Sequence, residues 1–227
     1  MRSDGRKNDE LRKIEAKVGV ISSADGSAYF KIGNTAVVAA VYGPRELHPK
    51  HLQDPEKSVL RCYYNMTTFS VPERKSPSPG RREIELSTAI KRALEPTIFI
   101  EEFPRTAIDV YTYVLEADAG TRCASICAAS MALADAGIPM RDLVSAVAAG
   151  KVKDQIVLDL TKEEEDTEPC TDVPIAYMPN KKWITLIQLD GEVTAEELRE
   201  IIKLGIKGCL QIYEIQKKAL KKKYVRI

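Results

Sequence analysis

Residues 121–136 constrain the fold more than any other segment. They are small and apolar, rich in alanine and serine, and they end at Gly137-Ile138-Pro139, a helix stop signal. That composition predicts a helix packed close against a sheet or another helix. The flanking segments offer both partners. Upstream, short apolar runs alternate with glycine-bearing turns, and Asp25-Gly26 separates two such runs. Residues 28–32 read as a strand, Gly33-Asn34 as a two-residue turn, and 35–42 as a second strand that stops at Gly43-Pro44. Residues 58–66 read as a further strand, and 67–79, rich in Pro and Ser and carrying Arg74 and Lys75, as a loop. After Gly80, Leu86, Ile90 and Leu94 recur every four residues until Pro96, which predicts a helix. Residues 107–115 are β-branched and aromatic, a strand pattern.

Downstream, residues 146–150, 156–160, 173–178 and 183–189 read as strands, the last two flanking a turn at 179–182. A long helix closes the chain: Thr194 and Glu197 form a capping box, and Leu198, Ile201, Ile202, Cys209 and Ile212 keep one apolar face. Each half is thus several strands plus helix, without a convincing internal sequence repeat. The fold class is α+β, read as two similar βαβα halves, 1–140 and 141–227, in a single domain.

At 227 residues the chain can bury a real core as one large domain or two small ones. No apolar run approaches the roughly 18–20 residues needed to span a bilayer. Its first residues, Met1-Arg2-Ser3-Asp4-Gly5-Arg6-Lys7, are polar, unlike a signal peptide. A cytoplasmic location without membrane contact is expected. Cys123 and Cys127 would share one helix face, and we read them as core packing rather than a zinc half-site, because the chain has only two histidines. The net charge of +1 gives no sign of a nucleic-acid partner, so any RNA site must be a local basic patch, which another subunit could complete.

Four constellations could carry chemistry. Gly80-Arg81-Arg82 opens a predicted helix, where paired cations are electrostatically odd unless an anion sits among them; the alternative is a solvated surface pair. Asp118-Ala119-Gly120-Thr121-Arg122 joins a strand to a helix, where glycine lets backbone amides approach an anion, Thr121 can cap or donate, and Arg122 can fork onto an oxyanion. It lacks P-loop spacing, and a plain capped helix start reads equally well. The acidic stretch 163–168, which contains Asp166, is by itself a solvated turn; Asp172, at the mouth of an apolar run, can point inward. Two such carboxylates could hold Mg²⁺ through oxygen, or one could serve as a general acid. Lastly, Leu60-Arg61-Cys62-Tyr63-Tyr64-Asn65-Met66 interleaves arginine with aromatics, as either a clamp and stacking platform for single-stranded RNA or an ordinary strand. The basic tail, Lys217-Lys218, Lys221-Lys222-Lys223 and Arg226, is what a helix C-terminus favours anyway.

Read in order, these motifs resemble the RNase PH family, within it the archaeal exosome branch. The resemblance runs from Arg2-Ser3-Asp4-Gly5-Arg6-Lys7 and Asp9-Glu10-Leu11-Arg12 through Val41-Tyr42-Gly43-Pro44-Arg45-Glu46, Gly80-Arg81-Arg82-Glu83-Ile84-Glu85 and Phe103-Pro104-Arg105-Thr106. It continues through Ala117-Asp118-Ala119-Gly120-Thr121-Arg122 and Ala134-Asp135-Ala136-Gly137-Ile138-Pro139-Met140, so it covers essentially the whole chain. Bacterial tRNA-trimming relatives look more like G-R-T/S and D-G-G-T-R at the arginine and glycine motifs.

The resemblance implies an RNase PH-like fold and a phosphate-dependent 3′→5′ exoribonuclease that releases nucleoside diphosphates and can also extend RNA. It implies inorganic phosphate as co-substrate, bound by Arg81 or Arg82 with Gly120, Thr121 and Arg122. It implies Asp166 as general acid or Mg²⁺-linked residue supported by Asp172, and Arg61, Tyr64 and Arg105 along the RNA path. Its implied partners are an inactive paralogue alternating with this chain in a hexameric ring, and RNA-binding cap subunits. Two rivals remain at this point: a non-catalytic ring subunit, which should lack the aspartates or the arginine site, and a stand-alone tRNA-trimming enzyme.

Overall fold

The glycine-turned hairpin forms as its alternation predicts and becomes the middle of a five-stranded sheet. Strands β1 (Ile14–Val18), β2 (Gly26–Ile32), β3 (Thr35–Glu46), β4 (Val59–Met66) and β5 (Thr106–Glu116) lie in the order β1-β2-β3-β5-β4. This is a computed structural model, and it describes residues 2 and 4–224; Ser3 of the N-terminal motif and Arg226 of the basic tail lie outside the described residues. β3 does not stop at Gly43-Pro44 as expected. Pro44 has no N–H for the ladder, so the pairing with β5 shifts register between Tyr42 and Arg45 and the strand then resumes. Helix α1 (Arg81–Leu94) makes the crossover between β4 and β5, which are parallel.

The second sheet is antiparallel, in the order β7-β6-β8-β9, from β6 (Ser145–Val152), β7 (Gln155–Leu158), β8 (Cys170–Met178) and β9 (Trp183–Ile187). The crossover here is a single turn, α3 (Lys162–Glu165), and α4 (Ala195–Tyr224) closes the half with the expected capping box from Thr194 and Glu197. Both halves therefore run strand-helix-strand-helix, but their crossover helices differ greatly in length.

Helix α2 (Thr121–Asp135) shows why its side chains are small. It packs against β2, β3 and β5 on one side and β6, β8 and α4 on the other, and thirteen of its fifteen residues are buried. On the second side, Ser130 Oγ accepts from the Val144 amide at 2.8 Å, and Gln216 of α4 donates to the Cys127 carbonyl at 3.2 Å. On the first side, a Cβ on Gly26 would lie 2.2 Å from the Ala136 nitrogen, so only glycine permits this approach of β2. Cys123 and Cys127 are core residues, as read.

Two further elements escaped sequence reading. β1 is an edge strand whose Ile14-Glu15-Ala16-Lys17-Val18 alternates half-buried with exposed. α3 lies inside the acidic stretch read as a turn: Thr161 Oγ1 accepts from the Glu164 amide, and the Glu164 carboxylate accepts from the Thr161 amide, a capping box. None of the described helices is long and apolar enough to cross a membrane.

Candidate active site

A cavity of about 580 Å³ opens between the two halves. The first half contributes the loop after β4, Arg82 on the first turn of α1, and Ala117 with residues 119–123, which lead from β5 into α2. The second contributes Ala148, Lys162, Glu165, Asp172 and Pro174. Asp172 and Pro174 are two apart on β8, so they share its cavity-facing side, while Ile175 turns the other way against Gly205 of α4. Arg74, Lys75, Arg82, Arg122 and Lys162 face this space with only Glu73, Glu165 and Asp172 as acids. The basic patch that the net charge concealed is here.

The glycine loop is built to hold its shape. Ala119 and Gly120 both take left-handed conformations, at φ 58° and 63°. Behind them, Thr35 Oγ1 donates to the Ala119 carbonyl at 2.6 Å and accepts from the Asp118 amide at 2.9 Å. Arg12 donates to the Asp118 carbonyl at 2.5 Å. Gly120, the N-cap of α2, offers no side chain to the first-turn amides, so they stay open to an anion at the positive end of the helix. Tyr64 donates its hydroxyl to Thr121 Oγ1 at 3.0 Å. Arg122 reaches from the same turn to Gln188 Oε1 at 2.5 Å, which fixes the guanidinium at the cavity wall.

Two carboxylates face these cations. Asp172 keeps part of its surface open to the cavity, yet its Oδ1 is shielded from water and has no hydrogen-bond partner. Burial, then the charge of Glu165, push its pKa up to about 7 against the pull of Arg122. Burial also raises the Glu165 pKa, although Lys162, Arg82 and Arg122 oppose it. A carboxyl group that burial brings to titrate close to neutrality thus stands across the cavity from the arginines.

The structure brings together five of the expected residues, Arg82, Gly120, Thr121, Arg122 and Asp172, and separates the others. Arg81 is on the outer side of α1, almost fully exposed and paired with Glu85 at 3.0 Å, which separates the roles of the two arginines. Asp166 does not line the cavity: it follows the last residue of α3, is exposed, and bonds Lys162 Nζ at 2.6 Å at the rim. The acid that the turn of α3 directs inward is Glu165. Tyr64 is buried beneath Thr121 and cannot offer a stacking face. Arg61 pairs with Asp109 at 2.5 Å along a separate groove with Tyr63 and Tyr111, whose rings stack 4.8 Å apart. Arg105 precedes β5, whereas the cavity lies past its far end; the strand's 11 residues span roughly 35 Å. Lys223 of the basic tail bonds Asp135 at 2.5 Å, at the opposite end of α2 from the cavity.

Sequence reading did not single out Glu165, Lys162 or Gln188. The Thr161-x-x-Glu164 pattern was a usable signal for the first two, since a helical turn there sends neighbouring acids in different directions. Gln188 had none.

Comparison with known proteins identifies the family. Residues 10–139 match the profile described as 3′ exoribonuclease family, domain 1, and residues 142–208 match domain 2 of that family. The chain is 60% identical to the exosome complex component Rrp41 of Pyrococcus abyssi over 226 residues, covering 100% of this chain and 90% of that protein. It is 55% identical to the component of the same name from Nitrosopumilus maritimus over 223 residues, covering 98% and 91%. Among solved structures, rice Rrp46 superposes with a TM-score of 0.85 at 26% identity, covering 96% of this chain and 100% of that one. An Archaeoglobus fulgidus exosome with RNA bound to the active site has a chain of the same fold, with a TM-score of 0.82 at 24% identity over 94% of this chain and 91% of that one. With both family domains matched in order and such relatives along its full length, the chain belongs to the 3′ exoribonuclease family, with the RNase PH-like α+β fold.

Proposed function

We propose that this chain is the catalytic subunit of an exosome core, and that it shortens single-stranded RNA from the 3′ end by phosphorolysis. One observation carries the reading: the open amides of α2 and the guanidinium of Arg122 face, across one cavity, a largely buried carboxyl group whose pKa burial raises to about 7. Inorganic phosphate fits the Gly120-Thr121 amides and Arg122. Arg82 and Arg74, which line the same cavity from the first half, suit the terminal phosphodiester. A phosphate oxygen attacks that phosphorus, the bond to the 3′-oxygen of the preceding nucleotide breaks, and a nucleoside diphosphate leaves. The departing 3′-oxygen takes a proton, which Asp172 is placed to give. Positioning and charge stabilisation supply most of the acceleration in such a transfer. The exchange is nearly energy-neutral, so the same site also extends RNA from nucleoside diphosphates.

Asp166 enters through Lys162. An exposed ion pair of this spacing stabilises by only about 0.3–0.5 kcal/mol, so phosphate can compete for Lys162 and leave the Asp166 carboxylate unpaired at the rim. Magnesium is the alternative to the Asp172 proton: the ionised carboxylates of Asp172 and Glu165, which both line the cavity, would hold it, and Mg²⁺ commonly uses one or two carboxylates and leaves the rest of its shell to water and phosphate. When bound, it would neutralise charge on the phosphate oxygens.

That the relatives are named exosome complex components supports an assembled state. In a ring with a related inactive subunit and RNA-binding caps, partners would supply the RNA path that Arg61, Tyr64 and Arg105 do not supply at this cavity. A non-catalytic role is disfavoured because the arginine site and the aspartates are all present. The test is diphosphate release by the full-length chain, with and without its partner subunit and with and without added phosphate. Diphosphates should appear only with phosphate; monophosphates released by water would refute phosphorolysis, and full activity of the isolated chain would favour a stand-alone enzyme.

A further inference from the structure

Arg12 lies outside the cavity lining, yet it ties the cavity's two walls together. Its guanidinium and its own amide make three hydrogen bonds to the Asp159 carboxylate, at 2.8, 2.9 and 2.7 Å. Its remaining nitrogen donates to the Asp118 carbonyl at 2.5 Å, on the loop that presents Gly120. Arg12 and Asp159 are both buried. Asp159 follows β7 and is three residues from Lys162, so it anchors the start of the α3 turn that aims Glu165. The route is cut to fit at Gly33, where a Cβ would come within 2.4 Å of Arg12 Cδ.

We propose that Arg12 is the positioning residue of the phosphate site, holding the glycine loop of the first half at a fixed distance from the α3 turn of the second. This rests on the phosphate reading of the cavity above. A planar fork satisfies Asp159 and Asp118 together; a lysine ammonium can satisfy only one of them with comparable geometry. Because the loop amides bind phosphate while other groups hold RNA, loss of the fork should weaken phosphate specifically.

The experiment uses the full-length chain, co-assembled with its partner subunit. Calorimetric binding of inorganic phosphate and, separately, binding of a short single-stranded RNA are compared for the native chain, Arg12→Lys and Asp159→Asn. Disturbing groups that orient a site typically costs on the order of 10–100-fold, so Arg12→Lys should weaken phosphate binding at least about tenfold while RNA binding stays within about twofold. Asp159→Asn, which keeps the shape and one acceptor, should shift phosphate in the same direction by less, and it carries the test if Arg12→Lys does not fold. Unchanged phosphate affinity, or parallel losses of phosphate and RNA, would overturn the proposal. A chain that binds phosphate in this Arg12-dependent way yet cuts RNA with water would support the positioning role and sink phosphorolysis, so the two ideas fail separately.

Discussion

Replacing Asp172 with asparagine should abolish activity and, at the same time, make the chain more tolerant of alkaline pH. The ordinary aspartate pKa of 3.8 is raised here to about 7 by burial and by Glu165. A group with a raised folded pKa binds its proton more tightly folded than unfolded. Its contribution is therefore complete below about pH 4, where both states are protonated, and is lost progressively as pH rises to about 7. Each tenfold change in proton affinity is worth about 1.4 kcal/mol, so the loss over this window is on the order of 4 kcal/mol. That is an upper limit, because Asp172 keeps some contact with solvent through the cavity. Asparagine does not titrate. Its amide would cost about 1–3 kcal/mol where the unpartnered oxygen now sits, but equally at every pH. The measurement is denaturant unfolding of native chain and Asp172→Asn from pH 4 to 8, in buffer free of phosphate and divalent metal. The variant should gain on the native chain as pH rises. Parallel stability curves, or a native chain that gains on the variant with rising pH, would refute the buried, protonated carboxyl.

Arg82→Ala should raise the KM for phosphate or RNA by roughly 10–100-fold, the worth of a lost hydrogen bond to a charged group, while Arg81→Ala leaves steady-state kinetics nearly unchanged. Tyr64→Phe should lower stability by about 1 kcal/mol through the lost bond to Thr121, with RNA affinity unaltered in a direct binding assay; a large fall in RNA affinity would return Tyr64 to the RNA path. Glu164→Ala leaves Arg2 buried without its 2.7 Å partner, and unfolding measurements should show a loss of about 3–5 kcal/mol. Burial alone would raise the Glu164 pKa, but bonding to Arg2 outweighs it and leaves it lowered. That pair should therefore stabilise above about pH 4.5 and fail as pH falls further, so the two proteins should converge in strong acid.

The elements legible in sequence were those with one dominant local signal. The Gly33-Asn34 hairpin, the Leu86-Ile90-Leu94 stripe and the capped start of α4 formed where expected, since turn chemistry and periodicity act over a few residues. Gly43-Pro44 was misread as a stop because its effect depends on pairing with β5, far along the chain. The site was legible where backbone chemistry defined it: Gly120-Thr121-Arg122 sits at a real strand-to-helix junction. Side-chain direction was the hard part. Arg81 and Arg82 are identical in kind and diverge only by a hundred-degree step around α1. Asp166 and Glu165 diverge the same way around a turn that composition disguised as a solvated charge run. Tyr63 and Tyr64 alternate across β4, and the exposed tyrosine is Tyr63.

The double-sided burial of α2 bears on how such a chain is made. A ribosome adding about 5–20 residues per second finishes the first sheet and α2 roughly 2–7 seconds before it adds Asp172, and α4 follows later still. During that interval the side of α2 that will meet β6, β8 and α4 is not yet fully covered, and the glycine loop faces no Asp172. The nascent chain thus displays the glycine loop before the carboxyl group that will face it. Under the proposed function, such a chain made beside its own messenger would gain activity only once its second half has folded.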